Sequence, residues 1–188
     1  MNIRDYSTNV SIPEEKNFLG CTLFDVNIRL FESSTGYTDI ILHIIEYMVE
    51  LINKKYDDYD AVKGISGANI GVPFNIVVVK VTDDNYKKIS VEEKGSIVTF
   101  GPKGDFIVMI NPVVTKSSNR IFIARSNCGS IILDKQIDVE RKSWVVVEFY
   151  NTDGIKKSIK FGRPLTGTIQ HEIDHNQGIL ITDKVIEE

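Results

Sequence analysis

The chain has 188 residues, 42% of them hydrophobic and 26% charged, which suits one folded domain with a substantial core. A net charge of −4 argues against nucleic acid as an obligatory partner, since phosphate binding wants a basic face, and no run approaches the about eighteen apolar residues of a membrane span. The opening MNIRDYSTNV lacks the pattern of a secretory signal, and two cysteines make no disulfide framework, so a reducing, intracellular setting is expected.

Residues 1–20 are mixed and polar and are expected to wrap the surface. Apolar residues at 41, 44, 45, 48, 51 and 52 predict an amphipathic helix over 38–52, with Thr38 or Asp39 as its N-cap. His43, Glu46 and Glu50 fall on its polar side, where His43 reads as an exposed helix residue rather than a ligand. The small-residue run GISGANIGVP (64–73) leads into IVVVKV (76–81), a buried strand. Residues 82–105 are polar, lysine-dotted and glycine-punctuated, and are expected to be mostly a surface insertion. FIVMINPVV (106–114) and RIFIA (120–124) read as strands, and 143–161 as a hairpin turning at Asn151-Thr152-Asp153-Gly154. Pro164 suits the first turn of a last helix that runs to about Gln177, with Gly178 ending it in the left-handed conformation. Gly167 within it costs about 1 kcal/mol relative to alanine and is expected to admit a close neighbour. No repeat or linker divides the chain. The expectation is a single domain, 1–188, of the α+β class: mixed or antiparallel strands around a C-terminal helix, with an amphipathic helix on the N-terminal side.

That last helix carries the chemistry. His171-Glu172-Ile173-Asp174-His175 places two of the chain's three histidines four residues apart, so both imidazoles leave one helix face and can grip one metal ion. Glu172 between them is placed to work on a water at that ion. A catalytic site needs a third protein ligand. In common metallopeptidases it lies downstream, but here only NQGILITDKVIEE (176–188) follows, with no histidine and no room for another packed helix. The ligand is therefore sought upstream, where Cys128 in SNCGS (126–130) offers a soft thiolate. The bland alternative for Cys128 is a small buried core residue, which is also the reading for Cys21.

A cysteine joined to a C-terminal His-Glu-x-x-His helix resembles the peptide deformylase family, whose ordered motifs are G-x-G-x-A-A-x-Q, E-G-C-L-S and Q-H-E-x-D-H. QHEIDH (170–175) is intact, SNCGS stands for the second motif, and VKGISGAN (62–69) followed by IGVP stands for the first. The likeness spans roughly residues 18 to 185. It departs where the family glutamine becomes Asn69, the two alanines become Ser66 and Gly67, the Glu-Gly before the cysteine becomes Ser126-Asn127, and the leucine after it becomes Gly129. Only the second motif glycine survives, as Gly64. Such enzymes often pair the missing glutamate with an arginine, which would leave Arg141 as an orphan here.

The resemblance implies that Cys128, His171 and His175 hold one divalent ion, ferrous in the cell, with zinc, nickel or cobalt able to take its place. Glu172 would be general base and then general acid; Asn69 and the Gly129 N–H would stabilise the oxyanion. Gly64, Ile65 and Asn127 would contact the substrate. That substrate would be a formyl-methionyl nascent peptide, met near the ribosome in a bacterial-type or phage-encoded cytoplasmic protein, or an organellar one once a transit peptide is removed. No membrane partner is expected. Two other readings stand beside this one: a metallohydrolase of another amide or peptide bond, and a weakly active or non-catalytic relative that kept the metal for structure or for binding nascent chains.

Overall fold

The computed structural model describes residues 26–28, 35–56, 63–128 and 136–185. The readings made for residues 1–20, for Cys21 and for Gly129 lie outside them. Helix α1 (Thr35–Tyr56) extends beyond the expected 38–52 at both ends. It buries Ile41, Ile44, Ile45, Met48, Val49 and Ile52, the three- and four-residue spacing read from the sequence.

The main sheet is antiparallel throughout, which narrows the expected mixed or antiparallel strands. β1 (Gly64–Ser66), β2 (Ile76–Val81), β4 (Asp105–Ser117), β7 (Val145–Tyr150) and β8 (Lys156–Phe161) lie side by side in that order. Strand β3 (Ile97–Thr99) also pairs with β4. A separate two-stranded sheet joins β5 (Ile121–Ser126) to β6 (Ile137–Lys142).

The continuous apolar runs of β2 and β4 follow from cover on both faces. Ile76, Val78, Phe106, Val108 and Ile110 pack beneath α1. Val77, Val79, Ile107 and Met109 turn the other way, with Val145, Val147, Phe149 and Phe161, onto helix α4 (Leu165–Asn176) through Leu165, Ile169 and Ile173. No helix among the described residues is long and apolar enough to cross a membrane.

Residues 82–105 lie mostly at the surface, as expected, and carry ordered structure: helices α2 (Asp83–Tyr86) and α3 (Val91–Lys94) precede β3, capped by Thr82 and by a Ser90–Glu93 capping box. Ile89 is buried in the α4-side core. Pro164 occupies the N-cap of α4 rather than its first turn, because the helix starts at Leu165. Gly167 is not required by crowding, since an added methyl would meet Phe122 at an ordinary 3.5 Å. The C-terminal stop is as read. Gly178 has φ +73°, its N–H reaches the His175 carbonyl at 3.0 Å, and the Ile179 N–H reaches Asp174 O at 2.9 Å. That pair of bonds is a Schellman motif.

Candidate metal centre

Helix α4 sets His171 and His175 one turn apart, with Nε2 atoms 3.1 Å from each other. Cys128, two residues beyond β5, brings its Sγ to 3.3 Å from His175 Nε2, and the three donor atoms all lie within 4.8 Å of one another. The thiol sits in a small apolar cluster with Val139 and Ile181, so Cys128 is buried and also faces the histidines. Bonds of about 2.0–2.3 Å at tetrahedral angles would place such donors about 3.3–3.6 Å apart, close to the observed spacing.

The electrostatics also suit a cation. Burial, then His175, Arg141 and Lys184, hold His171 far below the usual imidazole range, at about 3. Burial lowers His175 as well. Both rings are thus neutral at ordinary pH, each with one nitrogen lone pair to offer. The residues fit a borderline divalent ion held by one thiolate and two imidazoles.

Glu172 lies on the β1 side of the same helix. A Cβ on Gly64 would come within 2.9 Å of Glu172 Cγ and of Thr168 Cγ2, so glycine there lets the strand close over the carboxylate. Glu172 is 4% exposed and, among the described residues, its Oε2 has no hydrogen-bond partner. Desolvation pushes its pKa up to about 8, with Arg141 opposing and Asp174 assisting the rise.

Around these groups lies a shell of contacts invisible in the sequence. Arg141, 2% exposed, forms a buried ion pair with Asp174 and is not the orphan expected from the lost motif glutamate. Lys184 Nζ donates to both Asp174 oxygens at 2.7 Å. The Gln170 carboxamide accepts from Lys142 N and donates to Lys142 O, both at 2.9 Å, which ties α4 to the end of β6. Asn176 donates to Asn75 Oδ1 at 2.9 Å and to Ile76 O at 3.2 Å, tying the helix end to the loop before β2.

The remaining sequence candidates are distributed unevenly. Gly64 is at the site. Ile65 turns its side chain into the α1-side core, leaving its backbone on the β1 edge. Asn127 is exposed beside Cys128, and Asn69 lies in the 3-10 turn Ala68–Ile70 after β1. Gly129 is outside the described residues. A surface cavity of about 660 Å³ between residues 26–28 and β4/β7 includes none of these residues.

Residues 27–188 match the family model described as polypeptide deformylase. A peptide deformylase of Roseiflexus sp. (strain RS-1) is 32% identical over 125 residues, 65% of this chain and 63% of that protein. The match thus spans less than two thirds of that relative's length. One from Wolbachia sp. subsp. Drosophila simulans (strain wRi) is 30% identical over 152 residues, 81% of this chain and 79% of the relative. The class I type b peptide deformylase of Acinetobacter baumannii, solved with Met-Ala-Ser bound, shares the fold at a TM-score of 0.68 and 19% identity, over 95% of this chain and all of that one. With the cysteine and the two helix histidines converging as they do, the chain belongs to the polypeptide deformylase family.

Proposed function

We propose that this protein, as one catalytic domain, hydrolyses the N-formyl group from the N-terminal methionine of newly made polypeptides and releases formate. The observation that carries this reading is Glu172: a buried carboxylate with a bare oxygen, set between two metal-facing histidines. Cys128, His171 and His175 would hold a divalent ion, which would supply Lewis acidity toward the formyl oxygen and water, and beside such a charge Glu172 would favour its ionised form.

Glu172 takes a proton from the attacking water as its oxygen bonds to the formyl carbon. The tetrahedral oxyanion accepts hydrogen bonds from the Asn69 carboxamide and the Gly129 N–H. Glu172 then returns the proton to the leaving nitrogen, the C–N bond breaks, and formate and a free amine result. The peptide backbone lies along Gly64, Ile65 and Asn127. Ferrous iron is the proposed native ion, with zinc, nickel or cobalt able to substitute, and work close to the ribosome in a cytoplasmic setting belongs to the same proposal.

The test is formate release from a formyl-methionyl peptide by protein loaded anaerobically with ferrous iron. Formate release without cleavage of unformylated peptides is expected. Cleavage of internal peptide bonds, or no formate from stoichiometrically loaded protein, would sink the reading.

A further inference from the structure

Asn69 is one methylene shorter than the glutamine it replaces, yet its carboxamide is anchored. Its Oδ1 accepts from Ser66 N at 2.7 Å and from Ser66 Oγ at 2.6 Å, and its own N–H reaches Ser66 Oγ at 3.4 Å. Only the carbonyl oxygen of a carboxamide can accept from a backbone N–H, so these bonds fix which way the group is turned. Oδ1 therefore faces Ser66. Ser66 is fully buried, and it stands where the family motif carries alanine.

The loop bearing Asn69 is also held from the metal helix. Asn176, which follows the ligand His175, accepts from Ala68 N at 3.4 Å. A Cβ on Gly67 would overlap the Phe74 carbonyl oxygen, so the substitution of glycine for the second motif alanine lets the loop fold tightly on itself. Gly67 N donates to Ile76 O at 2.9 Å and closes that fold. The three departures at 66, 67 and 69 thus belong to one hydrogen-bonded unit.

We propose that Ser66 is a positioning residue for deformylation: its hydroxyl, added to the backbone N–H that any residue at 66 would supply, holds the shorter Asn69 carboxamide turned so that Nδ2 donates to the oxyanion. The inference rests on the reading of Asn69 given under Proposed function. An oxyanion donor works through being held in place before the charge develops, so loosening it acts on kcat more than on KM.

The test compares iron-loaded wild type, Ser66→Ala, Asn69→Gln and the double variant with a formyl-methionyl peptide. Ser66→Ala should lower kcat about tenfold or more while KM and metal content stay near wild type. A glutamine carboxamide, displaced by one methylene, cannot keep both bonds to Ser66. In the Asn69→Gln background Ser66→Ala should therefore cost nothing or raise kcat. Side-chain 15N resonances of Asn69 provide a readout independent of turnover: a held carboxamide in wild type, a looser one in Ser66→Ala, which keeps only the backbone bond.

A kcat unchanged by Ser66→Ala, an equal loss in both backgrounds, or an equally ordered carboxamide would overturn the inference while leaving the activity intact. Absence of formate release from the wild type would instead refute the activity, and the inference with it.

Discussion

At the scale of single residues, the proposed chemistry concentrates on Glu172, which the close approach of Gly64 helps to make a buried acid with one oxygen unpartnered among the described residues. Glu172→Gln keeps the volume and removes the proton acceptor. It should abolish formate release while metal content measured by atomic absorption stays stoichiometric. The same residue makes a pH signature in the metal-free protein. A carboxyl whose folded pKa is raised from 4.5 to about 8 keeps its proton while the unfolded chain loses one, so stability falls as pH rises through that window. The lowered His171 and His175 act in the opposite sense, and their contribution is lost as pH falls below 6.5. Between pH 6.5 and 8, thermal melts of metal-free protein should therefore show Tm falling, and Glu172→Gln should remove that slope. Gly64→Ala presses on the Glu172 and Thr168 side chains, which can yield. A loss of kcat of about tenfold or more with metal retained is expected, because a small misplacement of a proton-transfer group is costly.

At the scale of elements, helix α4 is fixed from several directions before any ion binds. Gln170 clips it to β6, and Arg141 of β6 and Lys184 of the last turn both meet Asp174. Asn176 holds its end to the loop before β2. Its start is held by the segment read from the sequence as a surface insertion. Glu93 of α3 is buried; its Oε2 closes the capping box with Ser90 N, and its Oε1 accepts from Gly162 N at 3.0 Å, three residues before α4. Glu93→Ala removes both acceptors and should cost about 1–3 kcal/mol. That is a fall in Tm of roughly 3–10 °C by calorimetry, and Glu93→Gln should lose less. If deleting the carboxylate left Tm unchanged, the segment would have no part in placing the metal helix.

At the scale of the whole molecule, two helices cover opposite faces of one antiparallel sheet, and the centre forms where α4, β1 and the β5–β6 pair meet. Cys128 is 47 residues from His175, so the donor set exists only in the folded chain. A ligand that binds the native state alone stabilises it by mass action. Adding zinc or cobalt to metal-free protein should raise Tm in a concentration-dependent way. Cys128→Ala should lose most of that shift, and an undiminished shift would remove the thiolate from the ligand set.

Much of this was readable in advance wherever the signal was local. The run 76–81, the 143–161 hairpin, the stop at Gly178 and the paired histidines each rest on spacings within a few residues, and local backbone geometry converts those spacings directly into structure. Strand β6 escaped notice because Ile137, Val139 and Arg141 point inward while Asp138, Glu140 and Lys142 point out, and a buried arginine breaks the apolar alternation. Its burial depends on Asp174, which no local pattern reveals. The sequence by itself determined the helix that carries two histidines one turn apart with a glutamate between them. Only the tertiary structure decided that Cys128 meets them, that Gly64 lets β1 close over Glu172, and that Arg141 already has a partner. Each of these is a contact between elements, set by sheet register and helix docking rather than by neighbours along the chain.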